Sequence, residues 1–173
     1  MRRNTSISIL SVIVFAASSV GAASLGSAPQ EFRADFGTPS FDEHLVRTST
    51  LRWKPLRSHD SALVAARISA LETLSLDERV CAVVVWCERH LGRAATARLI
   101  HRFLGTAYRA ADLDTPRHAD ALMKIYHLSS GGTVIVNIHG KQDVFVIGDD
   151  CYWRNQEVFG RENAKGRPPT GVP

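Results

Sequence analysis

No fold open to this chain can leave the stretch Ser75–Gly92, SLDERVCAVVVWCERHLG, at its surface. Val80, Cys81, Val83, Val84, Val85, Cys87 and Leu91 are too dense for a solvated segment. Placed at about 100° per residue, they cover more than half of a helix circumference, which calls for neighbours on most sides. The flanks carry helix chemistry. Ser75 and Glu78 have the spacing of a capping box, and Gly92 suits a left-handed residue after a last turn. The rival reading is a buried strand through Cys81–Cys87, because three successive valines favour extended backbone. The caps tip the expectation to a central helix over about 76–91.

The amino end has the pattern of a secretory leader. Met1-Arg2-Arg3 is a positive start, Ile7–Val20 is a short apolar run, and Val20-Gly21-Ala22-Ala23 offers small residues to a signal peptidase. Cleavage after Ala22 or Ala23 fits. The run is shorter than the roughly 20 residues of a spanning helix, so the membrane would be met only through an uncleaved leader. Losing Arg2 and Arg3 takes the formal charge from +4 to +2. That is too small to argue for nucleic acid. The expected location is periplasmic or secreted.

Export gives meaning to the three cysteines. On a helix, Cys81 and Cys87 would be separated by about 9 Å of rise, beyond disulfide reach. Cys151 can therefore bond only one of them. Cys87 is preferred, because it shares a helix face with Val80, Val84 and Leu91.

The rest of the chain divides at its punctuation. Residues 24–57, with Pro29, Gly37, Pro39 and Pro55, read as an extended arm, with a short strand near Leu45–Trp53. Residues 58–159 read as the globular domain. Asp60 would cap a helix to about Leu74, on which an Arg67–Glu88 ion pair, or escape of both groups to water, would resolve two charges on apolar flanks. A third helix is expected from Arg93 to Ala111, and a fourth from Asp114 or Thr115 to the Ser129-Ser130-Gly131-Gly132 break. The period then changes. Thr133–Ile138 and Val144–Ile147 form a hairpin, apolar on both faces, that must lie on the helices and gain a third strand from Cys151–Arg154 or from the arm. Residues 160–173 have no apolar period and read as a disordered tail. The expected class is α+β: three or four helices around a central one, with a small carboxy-terminal antiparallel sheet.

Candidate chemistry is sparse. There is no phosphate-cradling glycine loop, HExxH, CxxC or G-x-S-x-G. Asp120 and His127 could couple on one helix face, and Asp149-Asp150 could ligate Ca²⁺, but neither specifies a site. No metal or cofactor is expected. On the third helix Arg98, Arg102 and Arg109 fall within roughly 40° of one another, opposite the apolar face. No acid interrupts Arg89–Ala111, so this stripe is the surface expected to meet a protein partner with an acidic face. The functional expectation is a small exported, non-enzymatic protein-binding domain, such as an inhibitor, immunity or envelope-assembly factor. The alternative is a small exported hydrolase whose histidine and carboxylate are brought together by folding.

Overall fold

The computed structural model describes residues 22–105 and 108–160. The expected leader falls outside them up to residue 21, as does the expected tail beyond Gly160. The strands are β1 (Phe41–His44), β2 (Thr48–Trp53), β3 (Ile68–Leu76), β4 (Arg79–Cys87), β5 (His118–Ala119), β6 (Met123–His127), β7 (Thr133–His139) and β8 (Gln142–Gly148). Helices among the described residues include α1 (Pro29–Phe36), α2 (Ser61–Ala65), α3 (Arg93–Leu104) and α4 (Asp150–Arg154), with a 3₁₀ turn at Ala110–Leu113, and residues 156–160 are also helical. The eight strands of the described residues form one antiparallel sheet, ordered β1-β2-β3-β4-β8-β7-β6-β5. Two four-strand meanders are thus joined where β4 pairs with β8, and α3 links them in sequence.

This overturns the expected architecture of helices around a central helix. Ser75–Gly92 holds most of the β3–β4 hairpin's second half instead. Ser75 is buried in β3 opposite Val80, and its hydroxyl caps nothing. Asp77 and Glu78 form the two-residue turn, with left-handed φ of 48° and 61°. That geometry matches the twist of a tight hairpin, although Asn-Gly is its usual sequence. Gly92 precedes α3 as its N-cap rather than closing a helix. The branched valines decide the outcome: they lose side-chain freedom in a helix and pack well on a pleated surface.

The other departures have local causes. Asp60 does cap a helix, accepting from the Ala62 and Leu63 amides, but α2 ends at once. Arg67 turns left-handed, φ 49°, and β3 begins. The Arg67 and Glu88 side chains are both exposed, and the two residues meet through the backbone, Glu88 N–H donating to the Arg67 carbonyl at 3.0 Å. Helix α3 stops at Leu104, because Gly105 takes φ 57°. The segment expected as a fourth helix supplies β5 and β6. Residues 24–57 contribute α1, β1 and β2 to the fold. The β7–β8 hairpin stands where expected, but its further neighbours are β4 and β6, and Cys151–Arg154 is helical.

The sheet has two unlike faces. On one, α1, α2 and α3 bring Phe32, Leu63, Leu99, Ile100 and Phe103 onto Leu51, Leu71, Val83, Val85 and Phe145, all fully buried or nearly so. Each such side chain contributes about 1.5–3 kcal/mol by leaving water. On the other face, among the described residues, α4 and the segment to Gly160 cover one end, over Leu74, Leu76, Cys81 and Ala82. Gly148 permits that approach, since a Cβ there would lie 2.9 Å from the Tyr152 ring. The disulfide fixes it, and corrects the expected Cys87–Cys151 pairing: Cys151 bonds Cys81, with Cα atoms 5.5 Å apart, and Cys87 is free and buried. Alternation alone would put two residues six apart on one face, but β4 bulges at Cys81, which has no partner between the Leu74–Ala82 and Ser75–Val80 pairs. Cys81 turns toward α4, whereas Cys87 turns into the helix-covered core.

Candidate functional site

Two features stand out, one on each face of the sheet. The first is a cleft of about 510 Å³ on the helix-covered face, between the start of α3, the 3₁₀ turn and strands β6–β8. Phe145, Val136, Leu91, Ile138 and Leu113 make it apolar, while His90, Arg93, Asp114, Lys124 and Asp143 bring charge. Arg93 pairs with Asp114.

Asp143 is buried at the start of β8 and organises the mouth of the cleft. One carboxylate oxygen accepts from His90 Nδ1 at 2.7 Å, and the other from the Leu91 amide at 2.8 Å. His90 Nε2 lies 2.9 Å from the Gly140 carbonyl. Both ring nitrogens therefore face acceptors, and only an imidazolium can donate to both. The hydrogen bond to Asp143 accordingly raises the His90 pKa above its ordinary value. The carboxylate also faces Cys87, whose thiol is pushed up to about 12, chiefly by burial and then by the Asp143 charge. His90 and Asp143 are the histidine and carboxylate that folding brings together. Their geometry is that of a clamp, tying the loop after β4 to the β7–β8 turn. A general base needs a free nitrogen aimed at a substrate proton, and Nε2 is spent on Gly140.

The second feature is the part of the opposite face that the described residues leave uncovered. Registered pairs set Ile125, Ile135, Val146 and Val84 side by side across four strands. Val84 lies under the α4 segment. A parallel row holds Met123, Asn137, Val144 and Trp86. Met123, Ile125, Ile135, Val144, Val146 and Trp86 are half-buried, and neither apolar core includes them. Arg52 borders the patch, with its guanidinium 5.4 Å from the Phe41 ring and 6.0 Å from the Trp86 ring, and it pairs with Glu72. The signal for this surface was present in the sequence as strands apolar on both faces.

The three arginines expected as one stripe are not brought together. Arg102 is turned inward, with its side chain 9% exposed, and binds Asp35, Asp60 and the Ala23 carbonyl. Its guanidinium also lies 5.7 Å and 5.3 Å from the rings of Phe36 and Phe103. Arg98 is exposed on α3, and exposed Arg109 lies beyond the helix end. The other sequence candidates are tied locally. Asp120 pairs with His118, which holds its carboxyl below the usual range, and His127 Nδ1 sits 3.0 Å from the Thr133 hydroxyl. Asp149 caps α4 and receives Arg79, while Asp150 receives Arg154.

Compared with protein-family models, curated proteins and solved structures, the chain matches none. Any functional reading therefore rests on its own geometry.

Proposed function

We propose that this protein is exported and acts without catalysis, docking a partner protein on the open face of its sheet, as an inhibitor, immunity or envelope-assembly factor would. The observation that carries this reading is the apolar patch from Met123 and Ile125 to Trp86, which no described residue covers. The solvent face of an antiparallel sheet is ordinarily polar, and a contiguous apolar patch marks an interaction surface. Trp86 at its border, flanked by Arg52, has the composition of an interface anchor. An acidic partner face, expected from the arginines, has less to meet, since Arg102 is already neutralised by Asp35 and Asp60.

Export is supported by the leader pattern of residues 1–23 and by the Cys81–Cys151 disulfide, which persists in oxidising compartments. The hydrolase alternative is less favoured, because the His90 Nε2 that would serve as base is engaged by Gly140.

Placing a photo-crosslinking residue at Ile135 tests the reading in the protein's own cell envelope. The same residue at Val64, 59% exposed on α2, is the control. A discrete adduct from Ile135 and none from Val64 is the expected result. Equal labelling from both, or none from either, would overturn it.

A further inference from the structure

The first described residues are held by the fold in an unusual way. Ala22 is exposed, whereas Ala23 is fully buried. The Ala23 amide nitrogen lies 2.7 Å from Asp35 Oδ2, and its carbonyl accepts from Arg102 Nη1 at 2.5 Å. The Leu25 amide then donates to the Phe103 carbonyl at 2.9 Å, and Gly26 and Ser27 exchange backbone bonds with Val80. Asp35 comes from α1, Asp60 from the cap of α2 and Arg102 from α3. Arg102 binds both acids, so two carboxylates face one guanidinium in a partly buried cluster. Among the described residues one negative charge of the cluster is left without a counter-charge, and a partly buried excess charge is costly.

We propose that the mature protein begins at Ala23 and that its freed α-ammonium is the missing cation, held by Asp35. Resting on the export reading above, the inference makes leader removal a step that completes the fold. The small-residue site Val20-Gly21-Ala22 directs a signal peptidase to the Ala22–Ala23 peptide bond. Water splits that bond: its hydroxyl goes to the Ala22 carbonyl carbon, and the Ala23 nitrogen gains protons to become the ammonium. A neutral amide donor at 2.7 Å from Asp35 thus becomes a charged one in place, and charge-assisted bonds are roughly twice as strong. Cleavage one residue later would delete Ala23 and both of its contacts. Cleavage earlier would leave the charge on an exposed residue, about 3.8 Å or more along the chain.

Amino-terminal sequencing of the exported protein, joined to melting curves of chains starting at Ala22, Ala23 or Ser24 and running to Pro173, tests this. Ala23 should be the first residue found, and the Ala23 chain should melt highest, by about 3–6 °C. Asp35→Asn should erase the difference between the Ala22 and Ala23 chains. Exported protein starting elsewhere, or equal melting of the Ala22 and Ala23 chains with Asp35 intact, would overturn the proposal. Retention of Met1 would overturn the export reading with it, whereas an exported chain starting at Ser24 would overturn only this inference.

Discussion

His90 and Asp143 are 53 residues apart in sequence and 2.7 Å apart in the fold, joined between the loop after β4 and the start of β8. Because Asp143 raises the His90 pKa, the imidazolium is favoured in the folded chain over the unfolded one. That stabilisation is complete below the unfolded value of about 6.5 and disappears as pH rises through the higher folded value. Wild-type melting temperature should therefore fall on going from roughly pH 6 to pH 8. His90→Gln should melt lower at the acid end and show a flatter profile. Calorimetry across that range checks this, and parallel profiles would contradict the clamp.

The turn at Asp77-Glu78 stores strain that a single substitution can release. Left-handed backbone costs a side-chain-bearing residue about 1–2 kcal/mol, and glycine largely escapes it. Glu78→Gly should stabilise the chain by up to about 1 kcal/mol after glycine's larger unfolded entropy is counted. Asp77 is better kept, since it receives Arg47 and its carboxyl is held below the usual range by that contact. Denaturant midpoints decide. A destabilised Glu78→Gly would contradict the turn.

Arg102 and Arg98 should behave oppositely although both lie on α3. Arg102→Ala leaves Asp35 and Asp60 without their shared cation and should cost about 2–4 kcal/mol, at the low end of losses at buried pairs because both acids are partly exposed. Arg98→Glu should change stability by no more than about 0.5 kcal/mol. Equal effects would mean that α3 is rotated from its described phase.

The cysteines offer a chemical check. Non-reducing peptide maps should recover Cys81 joined to Cys151. Cys151→Ser should cost about 4 kcal/mol, from loop-closure entropy over the 70-residue separation. Cys87, with its thiol pushed up to about 12 and buried, should resist alkylation near neutral pH until the protein unfolds. Rapid alkylation of the native protein would contradict the burial.

What could be read from the sequence follows from how local each signal is. The β7–β8 hairpin was legible because two short β-branched, apolar runs flank a cluster of turn residues, His139–Asp143. The Asp60 cap was legible because its signal is equally local. The central stretch misled because Ser75, Glu78 and Gly92 imitate helix caps, while the left-handed turn at Asp77-Glu78 contains no glycine to announce it. Arg102 misled because its partners Asp35 and Asp60 lie 67 and 42 residues away. The His90–Asp143 clamp depends on β8 pairing with β4, a long-range event that no local spacing reports. Cys81 and Cys87 were assigned the wrong roles because helical spacing was applied to a strand, and because the bulge that turns Cys81 to the other face leaves no mark in the local sequence.

The central claim is that the uncovered sheet face is where a partner docks. Its most direct test is affinity capture from the native envelope with wild-type protein and with an Ile135→Glu, Val146→Glu double variant, each followed by quantitative mass spectrometry and a melting curve. Both residues are half-buried and neither belongs to an apolar core. The variant should therefore keep a cooperative transition within a few degrees of wild type, about the shift expected for 1–2 kcal/mol. The account predicts a discrete partner recovered with wild type and reduced at least about tenfold with the variant, the loss expected when charge is buried in an apolar interface. Equal recovery of that partner by a normally folded variant would contradict the claim.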